Sequence, residues 1–135
     1  PAEPGRTTMS DFDRRRAAAA VAAGGALGAP ARYGLTLLVR GSADRVPWAT
    51  VLINVTGSFA IGFLLVLLRR RFPDRPYVRP FLVTGFLGAY TTFSTFAVET
   101  DLLLKNGHPL AALLYVAVTL VGGMAAVAAG IRLAQ

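Results

Sequence analysis

The stretch that decides the fold reads TGFLGAYTTFSTF and occupies residues 84–96, inside a longer apolar run. Its two glycines and five Thr or Ser residues are poor material for a helix, since Gly costs about 1 kcal/mol in a helix interior and β-branched Thr is also unfavourable. The pattern favours a break, which backbone at membrane depth tolerates only where it is buried in protein or lines a cavity. A break would leave carbonyls free to coordinate a cation. The alternative is a continuous helix whose hydroxyls bond back to preceding carbonyls.

The sequence around this stretch indicates a membrane protein. Hydrophobic residues make up 54% of the chain and charged residues 16%, and residues 48–68 and 109–131 contain no charged side chain. At about 1.5 Å per residue, each run is long enough to cross the roughly 30 Å hydrocarbon core of a bilayer. We therefore predict an all-α membrane protein of four transmembrane helices, spanning residues 16–39, 48–68, 81–104 and 109–131. Short loops make neighbouring helices antiparallel.

The first span begins with an Arg run and an Ala-rich stretch that superficially look like a secretory signal. Because the apolar run continues to Val39 with no clean cleavage site before it, we interpret this stretch as a retained span. Residues 1–15 are predicted to be a disordered cytoplasmic tail. Residues 16–135 are predicted to form one domain.

Several function classes are excluded by composition. The chain has no cysteine, so disulfides, thiolate ligands and cysteine nucleophiles are absent. The seven carboxylates lie in the tail, in loops or near one end of the third span and offer no buried acid and base pair, so we do not expect an enzyme. The net charge of +7 comes from Arg clusters between apolar runs, without interleaved stacking aromatics. These clusters are topology signals and do not indicate a nucleic-acid partner.

A polar stripe follows the second span, where Thr50, Asn54 and Ser58 recur every four residues. Asn54 is the most costly of the three to bury, because its amide needs hydrogen-bond partners. Two interpretations stay open: an interhelical hydrogen bond, or a donor for a dehydrated anion. On the fourth span, Tyr115 and Thr119 form a shorter polar track.

Three further side chains are candidates for an anion pathway. Phe93 and Phe96 lie three residues apart among hydroxyls, and an aromatic ring has a positive edge that can face an anion; simple packing is the alternative. Arg32 lies within the first span, where it either snorkels to the interface or gives one mouth of a pore a positive potential.

Small residues four apart predict where helices touch in lipid: Gly24 with Gly28, Ser58 with Gly62, and Gly122 with Ala126 and Gly130. Four short spans enclose little interior. An aqueous pathway would then form between subunits, which predicts an oligomer.

Three motifs in this order resemble the Fluc fluoride-channel family, also called CrcB, over residues 22–131. They are GGALGAPARY at 24–33, INVTGSF at 53–59 and GFLGAYTTFSTF at 85–96. The resemblance implies a fluoride-selective channel subunit that exports fluoride passively from a bacterial cell and protects it from fluoride toxicity. It also implies an antiparallel, inverted dimer in the plasma (inner) membrane, with two fluoride pathways and a structural sodium ion at its centre.

Residue roles follow from the resemblance by motif position. It implies that the backbone carbonyls of Gly88 and Thr91 hold the sodium ion. The implied fluoride pathway contains the ring edges of Phe93 and Phe96, the Asn54 amide with its stripe neighbours Thr50 and Ser58, the Arg32 vestibule charge, and the hydroxyls of Ser94, Thr95, Tyr115 and Thr119. Glu99 matches the family's acidic position. The chain departs from the family at Ala89, commonly Gly, and at Gly123, often a hydroxyl residue.

The distribution of basic residues predicts the orientation. With four spans both termini share one side, which carries ten Lys or Arg against three on the other side. Both termini are therefore predicted to be cytoplasmic. This strong bias conflicts with insertion of one sequence in both directions, so a homologous partner with the opposite bias is favoured over a homodimer, which stays possible.

Two rival functions were weighed. A small multidrug-type cation exporter also has four short spans, but it requires a carboxylate within the membrane, typically in the first span, where this chain has Arg32 and no Asp or Glu. A helix-packing or assembly subunit would explain the small residues but leaves the polar stripe without a role.

Overall fold

The computed structural model describes residues 10–39 and 46–135, and within these residues it is entirely helical apart from turns. The elements are α1 (Asp11–Leu38), α2 (Trp48–Arg71), a π-helix (Pro80–Leu87), α3 (Gly88–Tyr90), α4 (Phe93–Lys105) and α5 (Pro109–Ala134). The π-helix, α3 and α4 follow one another closely, and we call residues 80–105 the third segment. The all-α prediction is confirmed over the described part of the chain.

Among the described residues, three stretches are long and apolar enough to cross a membrane: Trp48–Arg71, Pro80–Lys105 and Pro109–Ala134. They coincide with the predicted second, third and fourth spans. The 28-residue helix α1 is not among them. It is rich in Ala and Gly and contains Pro30 and Arg32, which lower its hydropathy, so its role as the first span stays a prediction.

Helix α1 begins at Asp11, five residues before the predicted span. The Ser10 side chain accepts a hydrogen bond from the Asp13 backbone N–H at 3.2 Å, and Asp11 and Asp13 place negative charge at the positive end of the helix dipole. The prediction of a disordered tail is therefore wrong for residues 11–15. The rest of that predicted tail, residues 1–9, lies outside the described residues.

The start of α1, the loop after α2 and the end of α5 lie at one end of the molecule. The Tyr77 hydroxyl donates to Asp13 Oδ1 at 3.0 Å, and Arg70 Nη1 donates to the Ala134 carbonyl at 3.0 Å and to that of Gln135. Hydrogen bonds from Ser10 and Tyr77 hold the pKa of Asp13 below its usual value. We call this the arginine-rich end, because it gathers Arg14, Arg15, Arg16, Arg69, Arg70, Arg71, Arg75, Arg79 and Arg132.

Close backbone approach joins the helices in two pairs. α1 packs against the π-helix, where a Cβ atom on Gly24 would overlap the carbonyl oxygen of Phe81 and one on Gly28 that of Phe86. α2 packs against α5, where a Cβ atom on Gly62 would overlap the Val127 carbonyl oxygen. The predicted small-residue contacts therefore occur at Gly24, Gly28 and Gly62, as well as at Gly130.

Candidate functional site

The third segment is interrupted at Thr91 and Thr92, whose backbones are extended between α3 and α4. In a continuous α-helix the Thr92 N–H would bond to the Gly88 carbonyl, and the Thr95 N–H to the Thr91 carbonyl. Here the Thr92 N–H donates to Asn54 Oδ1 at 2.9 Å, and the Thr95 N–H donates to Thr92 Oγ1 at 3.1 Å. The carbonyls of Gly88 and Thr91 therefore lose their helical partners to a side chain of α2 and to an N-cap.

Back-bonding by a hydroxyl, the alternative considered for this stretch, also occurs. Thr91 Oγ1 donates to the Leu87 carbonyl at 2.9 Å, which also accepts the Thr91 N–H at 2.9 Å. This doubled contact completes the last turn of α3. The Thr91 N–H thus keeps its helical partner, and the chain leaves the helix at the next residue.

Asn54 bridges α2 to the interruption with a reciprocal pair of hydrogen bonds. Its Nδ2 donates to the Thr92 carbonyl at 3.0 Å, while its Oδ1 accepts the Thr92 N–H. The pair fixes the orientation of the amide. In a flipped amide the Nδ2 donor would face the Thr92 N–H, and Oδ1 would face the Thr92 carbonyl. An amide carries two N–H donors, and this pair uses one of them. The other has no protein partner among the described residues and is available to a ligand.

A groove of 390 Å³ runs beside this bridge, between α2, the interruption and α5. Its walls combine the hydrogen-bonding groups of α2 and the interruption with apolar side chains of α5. The hydroxyl of Thr119 is buried in the groove wall and has no hydrogen-bond partner in the described part of the chain. The groove brings together six of the predicted residues: Asn54, Ser58, Thr91, Phe93, Phe96 and Thr119.

The two phenylalanines of the groove have different surroundings. Phe96 is 9% exposed and packs against Tyr115, with ring centroids 5.2 Å apart. Phe93 is 79% exposed, and its ring lies 5.9 Å from that of Phe96 at an interplanar angle of 43°. One ring is thus held by the core of the chain, and the other lies open at the edge of the groove.

The remaining predicted hydroxyls lie near the groove but do not line it. The Tyr115 hydroxyl donates to Glu99 Oε2 at 2.6 Å, and Thr50 lies beside that hydroxyl. Ser94 and Thr95 are exposed on the first turn of α4, where their hydroxyls contact Thr92 Oγ1 at 3.3 and 3.0 Å. These four side chains are therefore one layer removed from the groove in the isolated chain.

Arg32, predicted at a pore mouth, reaches the interruption. Its Nη1 donates to the Thr91 carbonyl at 3.3 Å, and the side chain is half-buried. The described residues contain no group of three His, Cys, Asp or Glu side chains that could hold a metal ion. The backbone oxygens at the interruption include the carbonyls of Gly88 and Thr91, which have lost their helical N–H partners. The Thr91 oxygen keeps one lone pair beside its bond to Arg32.

Thr92 is the residue that sequence reasoning missed. It is buried, it exchanges both backbone groups with Asn54, and its hydroxyl caps α4. Two signals were available: Thr is a favoured N-cap residue, and the next helical run starts at Phe93. Neither signal separates Thr92 from the other four hydroxyl residues of the stretch, because each of these is a Thr or Ser as well.

Comparison with known proteins identifies the family of the chain. The profile of a family described as CrcB-like protein, Camphor Resistance (CrcB), matches residues 19–131. The Fluoride-specific ion channel FluC of Rhizobium meliloti is 44% identical over 115 residues, covering 84% of this chain and 91% of the relative. FluC 1 of Mycolicibacterium paratuberculosis is 42% identical over 119 residues, covering 88% and 89%. FluC of Acidithiobacillus ferrooxidans is 52% identical over 90 residues, covering 66% and 72%. The chain therefore belongs to the CrcB family.

Proposed function

We propose that the chain is one subunit of a fluoride-selective channel that lets fluoride leave a bacterial cell passively across the plasma membrane. The observation that carries the proposal is the groove, which gathers the spare N–H of Asn54, the unpaired hydroxyl of Thr119 and the rings of Phe93 and Phe96. Fluoride is small and strongly hydrated, so a dry pathway must replace its water with donors and positive ring edges. Two relatives that carry the name of a fluoride-specific ion channel are 44% and 52% identical to this chain over the matched residues.

The groove is half of a pathway, and a second subunit in the inverted orientation completes it. Phe93 is a large apolar side chain left 79% exposed beside a groove that opens to the surface of the chain. A partner covering this face would bury that ring and enclose the groove. In this arrangement α1 is the first of four spans, and the interruption at Thr91 and Thr92 lies at mid-membrane. The exposed Ser94 and Thr95 hydroxyls would extend the donor set along the enclosed pathway.

The carbonyls of Gly88 and Thr91 are the groups that would hold a structural sodium ion at the centre of the dimer. Gly88 is exposed on the chain, and both carbonyls lack their helical N–H partners. One chain offers two such oxygens, so a partner would contribute the rest. When bound, the ion would supply positive charge that links the two interrupted segments. Arg32 donates to the same Thr91 oxygen, so its guanidinium group lies close to this candidate cation site.

A cation exporter of the small multidrug type is not favoured. That mechanism needs a titratable carboxylate within the membrane, typically in the first span. Residues 16–38 of α1 contain no Asp or Glu, and the two carboxylates of this helix, Asp11 and Asp13, lie in its first turn at the arginine-rich end. Among the described residues, the groove is lined by hydrogen-bond donors, rings and aliphatic side chains and by no carboxylate.

Ion flux in liposomes tests the function. The chain, purified alone and co-expressed with a homologous partner subunit, is reconstituted into vesicles loaded with potassium fluoride or potassium chloride. Valinomycin is then added, so that anion exit becomes electrically silent. We expect fluoride to leave and chloride to be retained, at rates that do not depend on an applied proton gradient. Equal efflux of both halides, or fluoride efflux that requires a proton gradient, would contradict a passive fluoride-selective channel. Protein-free vesicles serve as the control.

A further inference from the structure

A second cavity, of 560 Å³, lies at the arginine-rich end, away from the groove. Its volume falls within the range of about 300 to 1,000 Å³ that is typical of ligand pockets. It is bounded by the last turns of α2, the loop that follows, and the residues leading into the π-helix. One part of its wall is apolar and the other is basic, and the residues that matter are Leu65, Val66, Phe72, Arg69, Arg75 and Arg79.

The three arginines of this cavity have no partner within the described part of the chain. None of them forms a side-chain hydrogen bond or an ion pair there. Arg70 provides the contrast, because its guanidinium is held by the carbonyls of Ala134 and Gln135. Asp74 is the carboxylate of the same loop, yet it does not line the cavity. Three positive charges therefore face one cavity without compensation.

The combination of walls indicates the kind of ligand. Guanidinium groups bind phosphate with charge-assisted, often bidentate hydrogen bonds. A soluble phosphate would make no favourable contact with the apolar wall of Leu65, Val66 and Phe72. That wall belongs to the end of α2, which is apolar enough to span a membrane, so the cavity lies where such a helix leaves the hydrocarbon. Basic pockets at this depth suit lipids with an anionic headgroup.

We propose that this cavity binds an anionic phospholipid. The phosphate contacts Arg69, Arg75 and Arg79, and the first part of the acyl chains lies against Leu65, Val66 and Phe72. The site is independent of the fluoride pathway, since it shares no lining residue with the groove.

Native mass spectrometry of the purified protein in detergent tests the site, with phosphatidylglycerol as probe and zwitterionic phosphatidylethanolamine as the comparison lipid. We expect phosphatidylglycerol to bind more tightly by at least about tenfold, because each arginine near a lipid surface contributes to attraction of anionic headgroups. The triple variant Arg69→Gln, Arg75→Gln, Arg79→Gln should lose this preference. A control that removes the same charge elsewhere at this end, Arg14→Gln, Arg15→Gln, Arg132→Gln, should keep it.

Other outcomes would overturn the proposal. Equal binding of the two lipids means that there is no anionic lipid site, and equal loss in both triple variants means a general charge effect. Displacement of phosphatidylglycerol by millimolar inorganic phosphate would identify a soluble-anion site. If the triple variant does not fold, Arg75→Gln alone, in the exposed loop, should lower the preference severalfold, and an unchanged preference would reject the site. Measurement in detergent is independent of how the chain is oriented in a membrane.

Discussion

The amide of Asn54 is shared between a structural contact and a donor that has no partner among the described residues. Its Oδ1 and one N–H hold Thr92, which caps α4, while its second N–H is left for a ligand in the groove. The two interpretations left open by the sequence, an interhelical hydrogen bond and an anion donor, are therefore compatible.

Asn54→Asp is expected to abolish fluoride flux and to leave a folded protein. The carboxylate can still accept the Thr92 N–H, but it replaces the amide donors with a negative oxygen facing the anion. Loss of the bond to the Thr92 carbonyl should cost about 1 to 3 kcal/mol, a modest decrease in stability. A fluoride electrode measures efflux from liposomes, and size-exclusion chromatography checks folding. Flux at the wild-type rate would remove Asn54 from the pathway.

Phe93→Ile and Phe96→Ile should both reduce fluoride flux, because Ile keeps an apolar side chain but lacks a positive ring edge. Their effects on stability should differ. Phe96→Ile loses its aromatic contact with Tyr115 and should lower the unfolding temperature, by the equivalent of about 1 kcal/mol. Phe93→Ile should leave the unfolding temperature of the dissociated chain unchanged, since Phe93 is mostly exposed. Normal fluoride conduction by both variants would show that the two rings serve only in packing.

At the scale of elements, the molecule depends on backbone contact between α1 and the π-helix. There the two helices approach so closely that only hydrogen fits at Gly24 and Gly28. Apolar packing of this kind is the main source of helix association in lipid.

Gly24→Ala is expected to lower the unfolding temperature in detergent, because the added methyl group overlaps the Phe81 carbonyl oxygen and overpacking costs about 1 to 3 kcal/mol. Gly34→Ala on the same helix is the matched control, since a Cβ atom there meets nothing within 4 Å. The control should be neutral or slightly stabilising, as Ala is the better helix former. Equal destabilisation by both substitutions would show that the close approach at Gly24 is unimportant.

The elements and the groove differ in how far a sequence can predict them. The uncharged apolar runs predict α2 and α5, and the four-residue spacing predicts that Asn54 and Ser58 share one helix face. Residues 80–87 are almost continuously apolar, so they carry no period that separates a π-helix from an α-helix. The polar composition of residues 1–15 predicts disorder, and it does not reveal that Ser10 caps a helix beginning at Asp11. The hydrogen bond from Arg32 to the Thr91 carbonyl joins residues 59 positions apart in the sequence, and local sequence patterns do not predict contacts at such a separation.

The whole molecule is strongly asymmetric in charge along its length. Ten of the fourteen basic residues lie in residues 1–16, in residues 69–79 or at Arg132. The contacts of Tyr77 with Asp13 and of Arg70 with Ala134 bring the described parts of these segments together. Such an asymmetry favours one orientation in the membrane, with this end in the cytoplasm. An inverted dimer then favours a homologous partner of opposite bias.

Cysteine labelling in intact cells tests this orientation, and the chain has no cysteine of its own to interfere. Asn106→Cys, in the turn before α5, should react with a membrane-impermeant maleimide in every copy. Gln135→Cys, at the arginine-rich end, should be protected until the cells are opened. Both substitutions preserve charge and both sites are exposed. Substantial labelled and protected populations at each site would instead support dual insertion and a homodimer.

The interruption in the third segment is held by contacts within a single chain, because Asn54, the Thr92 cap and Arg32 all come from the same polypeptide. The conformational entropy of ordering this irregular backbone is therefore lost when the chain folds, before any partner arrives. Association of two subunits can then proceed as docking of preformed surfaces, with little further ordering to oppose it.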